Sequence, residues 1–145
     1  MFKVLRTYGF GDSFCQWIHT FYTNIKSAVI VNGSSTEWFR IERGCRQGDP
    51  ISPYLFILCA EILSIMIKEE KTIQGIQFGN VEHKISQFAD DTELLNNGDK
   101  ISFEKTIDIL DHFGKISGLY MNSGKTQAIW LGSKKKNLTQ YIAPI

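Results

Sequence analysis

Two neighbouring carboxylates, Asp90 and Asp91, stand between the β-prone run Ile85, Ser86, Gln87, Phe88, Ala89 and the return run Thr92, Glu93, Leu94, Leu95. A strand that doubles back there presents two hard oxygen donors beyond the sheet surface, and magnesium favours one or two carboxylates completed by waters and substrate phosphates. Paired acids in a turn are, taken alone, ordinary solvated turn chemistry. Here Phe88, Leu94 and Leu95 are expected to bury the hairpin and fix the acids against packed structure. Like charges fixed side by side require a counterion.

A second segment, Arg46, Gln47, Gly48, Asp49, Pro50, Ile51, Ser52, Pro53, is a polar loop entering an apolar helix. Gly48 permits close backbone approach, and the loop amides with Gln47 suit a flat base or sugar. A plainer reading is a capped helix entrance, with Ser52 as N-cap, Pro53 at the first helical position and Asp49 acting on loop amides. That explains Ser52 and Pro53 but leaves Arg46, Gln47 and Gly48 over. A third segment runs from Gly118 to Lys125 and Thr126. Its Gly-Lys-Thr triplet is not a P-loop: no strand precedes it, and Gly118 lies six residues before Gly124 where that loop needs five. Lys125 remains a point charge suited to a phosphate, or a solvated turn lysine, and the run Lys134, Lys135, Lys136 reads as solvated.

The elements that must position these residues follow from periodicity. Phe14, Trp17, Ile18, Phe21, Tyr22 and Ile25 recur at steps of three and four, which predicts one apolar helical face, with Asp12 as N-cap. Residues 28–31, Asn32-Gly33 and residues 37–43 read as a hairpin, with Trp38 and Arg40 on one face and Phe39 and Ile41 on the other. After the turn-rich residues 44–53 an apolar helix is predicted to about Glu70. Short strands are expected at 75–78, 84–88 and 92–95, with Asp90 and Asp91 at the apex of the last pair. Phe103, Ile107, Leu110 and Phe113 mark another helix, with Ser102 as a candidate cap and Gly118 just past its end, and residues 127–131 would return as a strand. The order predicts an α+β domain, helices packed on one face of an antiparallel sheet.

Composition narrows the function classes. With 145 residues, 43% hydrophobic and 21% charged, the chain can build a core and is not a disordered tail. The net charge is +1, so no global basic field recruits polyanions. The charge is uneven: residues 1–50 carry +2, residues 51–98 carry −4 and residues 99–145 carry +3. Cys15, Cys45 and Cys59 have no metal-type spacing and favour a reducing setting; no secretory leader is read at the start, so an intracellular protein of nucleus or cytoplasm is expected. Residues 51–67 are too short and too polar for a membrane span.

In this order the three segments resemble the reverse transcriptase domain of non-LTR (LINE-type) retrotransposons. Arg46 to Phe56 is similar to the family's substrate-binding loop and following palm helix, Phe88-Ala89-Asp90-Asp91 to its catalytic aspartate box, and Gly118 to Asn122 through Lys125 to the next motif, which ends in a lysine. Phe88, where some relatives have tyrosine, is a mild change. The likeness covers nearly the whole chain apart from the last dozen or so residues. It implies a polymerase palm fragment in which Asp90 is the principal metal ligand with Asp91 beside it. Arg46, Gln47, Gly48, Asp49 and Pro50 would line the nucleotide pocket, and Lys125 would lie near the triphosphate as a proton donor to pyrophosphate. RNA template, DNA primer and deoxynucleoside triphosphates would be the partners, with two Mg2+ ions in the complete enzyme. The family also uses an aspartate on a strand before the helix ending near Gly9, a position upstream of Met1, and Asp12 cannot replace it. Fingers and thumb are likewise expected to lie outside this segment. The resemblance therefore implies weak or no magnesium binding and no activity by this chain alone. Two other readings stay open: a non-catalytic nucleic-acid-binding or scaffold remnant using the basic C-terminal third, and a degraded fragment whose open sheet edge exposes apolar surface.

Overall fold

A computed structural model describes residues 2–42, 44 and 48–130. The fold is α+β, and the chain divides into two compact units, Met1–Ile62 and Leu63–Ile145.

In the first unit, α1 (Phe2–Thr7) ends at Gly9, whose φ of 80° is the left-handed conformation that stops a helix, and α2 (Asp12–Tyr22) follows. Gly11, not Asp12, is the N-cap residue of α2, with no side-chain cap bond; Asp12 instead opens the helix and pairs with Arg6 at 3.6 Å. The expected six-residue stripe narrows. Cys15 and Ile18 are buried with Leu5 and Leu55, and Phe14 and Tyr22 pack at the margin. Trp17 and Phe21 are exposed, and Ile25, though buried, lies beyond the helix. This core takes one residue from α1, two from α2 and one from α3, so the flanks of the α2 stripe stay in solvent.

The expected hairpin forms. β1 (Lys26–Ser27) pairs with β4 (Phe39–Arg40), and β2 (Ile30–Val31) with β3 (Ser34–Ser35). Asn32 and Gly33 both have positive φ, 51° and 79°, as the twist of a two-residue hairpin turn demands. α3 (Ser52–Glu69) is the apolar helix of the sequence reading; its first eleven residues belong to the first unit and the rest to the second.

In the second unit β5 (Ile76–Phe78) pairs with β6 (Val81–His83), a strand that periodicity missed, and β7 (Ile85–Phe88) pairs with β8 (Asp91–Leu94). Gly75 is required where it stands, because a Cβ there would collide with the His83 carbonyl. α4 (Lys100–Ser117) is capped by Asp99, whose carboxylate accepts from the Ser102 N–H at 2.8 Å, and it ends at Gly118 with φ 78°. Ser102, the expected cap, lies one turn inside and fully buried, its Oγ accepting from the Gln74 N–H at 2.9 Å. The deepest line of α4 is therefore Ser102, Thr106, Ile109 and Phe113, flanked by half-buried Phe103, Ile107 and Leu110.

The four ladders of the described residues are separate two-stranded pairs and do not join into one sheet. Residues 127–130 form no ladder, and Leu131 lies outside the described residues. An extended run becomes a strand only when a partner accepts its backbone groups.

Candidate functional site

The carboxylate pair sits on a tight hairpin. Phe88 pairs with Asp91, so the loop is Ala89-Asp90: Asp90 occupies the apex and Asp91 begins the return strand. A two-residue hairpin turn needs positive φ at its first loop position, usually supplied by glycine. Ala89 adopts it at 52°, a strain on the order of 1 kcal/mol held by the ladder on either side. The register then decides the faces. Ile85 opposite Leu94 and Gln87 opposite Thr92 share one face, of which Ile85, Gln87 and Leu94 are half-buried. Phe88, Asp91, Ser86 and Glu93 share the other, which is exposed. Phe88 is 83% exposed, contrary to the expectation that it would bury the hairpin; alternation puts it on the same face as Asp91. Leu94 and Leu95 are half-buried as expected, and Ile85, opposite Leu94, takes the anchoring part expected of Phe88. Glu93, two residues beyond Asp91 on its face, was not singled out by sequence reasoning; strand alternation was the available signal.

Among the described residues neither Asp90 nor Asp91 takes part in an ion pair. Two adjacent, exposed hard oxygen donors fit a divalent cation that retains waters and phosphates as its other ligands. They do not make a closed cage: no group of three or more His, Cys, Asp or Glu among the described residues could hold a metal ion.

The polar loop before α3 is organised from within its own unit. The Tyr22 hydroxyl donates to Asp49 Oδ2 at 2.9 Å and lies 2.7 Å from Ser52 Oγ. Asp49 Oδ1 accepts from the Ile51 N–H at 3.1 Å, and its carbonyl accepts from the Ser52 N–H. Asp49 thus acts on loop amides as the helix-entrance reading has it, while Ser52 is the first helical residue rather than the cap. Gly48 has φ 83°, which explains glycine there. Arg46 and Gln47 lie outside the described residues. Tyr22, read in the sequence only as a core position, proved to be the anchor of this loop; a bond between residues 27 apart leaves no local signal.

Lys125 closes an exposed turn built by Asn122, whose carbonyl accepts from the N–H groups of Lys125 and Thr126 and from the Thr126 hydroxyl, and whose Oδ1 accepts from the Gly124 N–H. The side chain is presented to solvent by a fixed backbone. Asp90, Asp91 and Lys125 all belong to the second unit, whereas Gly48, Asp49 and Pro50 belong to the first. No helix among the described residues is long and apolar enough to cross a membrane.

Comparison with known proteins identifies the family. The family model for reverse transcriptase (RNA-dependent DNA polymerase) matches residues 2–141. The chain is 30% identical over 139 residues to the retrovirus-related Pol polyprotein of the type-2 retrotransposable element R2DM of Drosophila melanogaster, covering 94% of this chain and 12% of that protein. It is 32% identical over 128 residues to the Pol polyprotein of a type-1 R2 element of Popillia japonica, covering 88% of this chain and 18% of that one. It is 27% identical over 132 residues to a 149 kDa protein of transposon TX1 of Xenopus laevis, covering 91% and 10%. The chain spans less than a fifth of the length of each of these relatives. The family match over residues 2–141 and the likeness to R2 Pol polyproteins across most of the chain place it in the reverse transcriptase family, among the non-LTR retrotransposon domains.

Proposed function

We propose that this chain is a palm segment of an RNA-directed DNA polymerase, in which Asp90 and Asp91 hold divalent metal, Lys125 faces the triphosphate, and residues 46–50 line the nucleotide pocket. The observation that supports it best is the hairpin tip, where ladder register and a positive φ at Ala89 set two adjacent carboxylates, neither in an ion pair among the described residues, at the end of a β-ladder. Magnesium, when bound, would stabilise the entering primer 3′-oxygen and the leaving pyrophosphate oxygen of the transfer at the α-phosphorus of a deoxynucleoside triphosphate. Asp90 and Asp91 would supply two of the carboxylates, an upstream aspartate a further one. Tyr22 holds Asp49, and through it the start of α3, so that Gly48 keeps its backbone open to a base or sugar. Lys125 would donate a proton as pyrophosphate departs.

The test is manganese titration of isotopically labelled chain, read by paramagnetic line broadening. Amides of residues 88–92 should broaden first, and Asp90→Asn or Asp91→Asn should weaken the effect by about tenfold or more, the least that losing a direct ligand costs when outer partners already cost 10- to 100-fold. Uniform broadening, or broadening unchanged in both variants, would sink the assignment.

A further inference from the structure

Lys84 is a cation that the polymerase reading does not use. It stands immediately before β7, and its carbonyl accepts from the Leu95 N–H at 2.8 Å, closing the base of the hairpin beyond the Ile85–Leu94 rung. Its side chain leaves the ladder and is only 9% exposed. The ammonium donates to the Glu70 carbonyl at 2.8 Å and to the Lys68 carbonyl at 3.3 Å, and Glu82 Oε2 lies 3.6 Å away. The two carbonyls belong to the end of α3, where a helix leaves acceptors without intrahelical donors and presents the negative end of its dipole. A lysine ammonium has three protons to give, and Lys84 meets an acceptor for each. Glu82 Oε1 also accepts from the Gly75 N–H at 2.8 Å, and a Cβ on Gly75 would stand 2.9 Å from Lys84 Cγ, so bare backbone at residue 75 makes room for the lysine stem. Glu70 in turn faces Lys105 of α4 at 3.8 Å. Lys84 thus joins the base of the hairpin to the end of α3 and, through Glu70, to α4, all within the second unit.

The link matters through leverage. Among the described residues β7 and β8 pair only with each other, and a two-stranded hairpin by itself is marginal in water. Ile85 and Leu94 half-bury one face, but apolar burial is non-directional and does not fix a tilt. Phe88 lies four residues beyond Lys84, roughly 13 Å of strand, so a pivot of about 10° at the base carries the tip about 2 Å. A misplacement of about 1 Å costs a reacting geometry on the order of a hundredfold. We propose that Lys84 is a positioning residue for Asp90 and Asp91, fixing the direction of the β7–β8 hairpin by clamping its base to the last carbonyls of α3. This rests on the reading of that pair as metal ligands, whereas its test uses no metal.

The experiment is residual dipolar couplings of the isotopically labelled 145-residue chain, weakly aligned in a stretched gel. In the parent, amides of residues 85–88 and 91–94 should fit the same alignment tensor as those of α4. Lys84→Met keeps an unbranched stem and removes the charge with its donors. The hairpin couplings should then shrink toward zero or demand a tensor of their own, while those of α4 still agree among themselves. Lys84→Arg, which returns donors to the carbonyls, should restore the common tensor. Lys84→Gln, uncharged and shorter, should lose it as well, and is the variant to read where Lys84→Met does not fold. A lower melting temperature would accompany a merely structural role as much as a positioning one, so the couplings decide. Hairpin couplings that still fit the α4 tensor in the methionine or glutamine variant would overturn the proposal. So would a parent hairpin that already needs its own tensor, a result that requires no variant to fold. Manganese broadening at residues 88–92 is read separately: its absence, while the couplings respond to Lys84, would remove the metal assignment and leave the clamp on the hairpin standing.

Discussion

A single dihedral sets the geometry of the candidate site. Ala89 carries a positive φ at the position where the turn would accept glycine without strain, and that conformation keeps Asp90 at the apex with Asp91 already in the ladder. Replacing Ala89 by glycine relieves roughly 1–2 kcal/mol of left-handed strain and adds roughly 0.5–1 kcal/mol of unfolded-chain entropy. The folded state should gain up to about 1 kcal/mol in a denaturant titration. A loss of stability would show that the strain is not there. The sign matters because Ala89 lies between the anchoring strand and the two acids, so relief of strain at that residue also loosens their placement.

Among the elements, α4 shows how a helix is held from both inside and outside. Asp99 caps it, while Ser102, buried one turn in, takes the Gln74 N–H that no strand partner satisfies. Ser102→Ala nearly keeps the volume and removes that acceptor, leaving a part-buried donor without its partner at a cost of about 1 kcal/mol, the low end for an unsatisfied group. Thermal unfolding of Ser102→Ala beside Asp99→Ala, expected to cost about 1 kcal/mol as a half-buried cap, measures the two separately. If Ser102→Ala were neutral, water would be replacing the hydroxyl. The β7–β8 ladder shows the complementary case, in which alternation alone assigns Ile85 and Leu94 to the anchoring face and leaves Phe88 and Asp91 in solvent.

For the whole molecule, a net charge of +1 means that its pH response comes from particular carboxylates rather than general repulsion. Glu70 is one: the Thr72 N–H and hydroxyl hold its carboxyl below the usual glutamate value, and Lys105 and Lys84 add to this. A carboxyl depressed in the folded state stabilises it above the unfolded value and loses that contribution as pH falls through the folded one. Stability should therefore fall on acidification below the ordinary glutamate range, and Glu70→Gln should flatten the curve there while leaving its neutral and alkaline limbs parallel to the parent. A pH profile unchanged by Glu70→Gln would mean that the carboxyl is equally free in both states.

Much of this molecule was legible in the order of its residues, because the interactions responsible are short-ranged. Asn32-Gly33 specifies its turn, the apolar residues after Pro53 specify α3, Gly9 and Gly118 end their helices, and Asp90 and Asp91 are set on a hairpin by the strands on either side. The family resemblance rested on the same local motifs, and the match over residues 2–141 agrees with it. Tertiary structure alone decided which flank of each stripe is buried, so that Trp17, Phe21 and Phe88 face solvent while Ser102 does not. It alone joined Tyr22 to Asp49 and left residues 127–130 without a ladder partner among the described residues. Periodicity states which side chains share a face; only packing and backbone pairing between distant segments determine what that face meets.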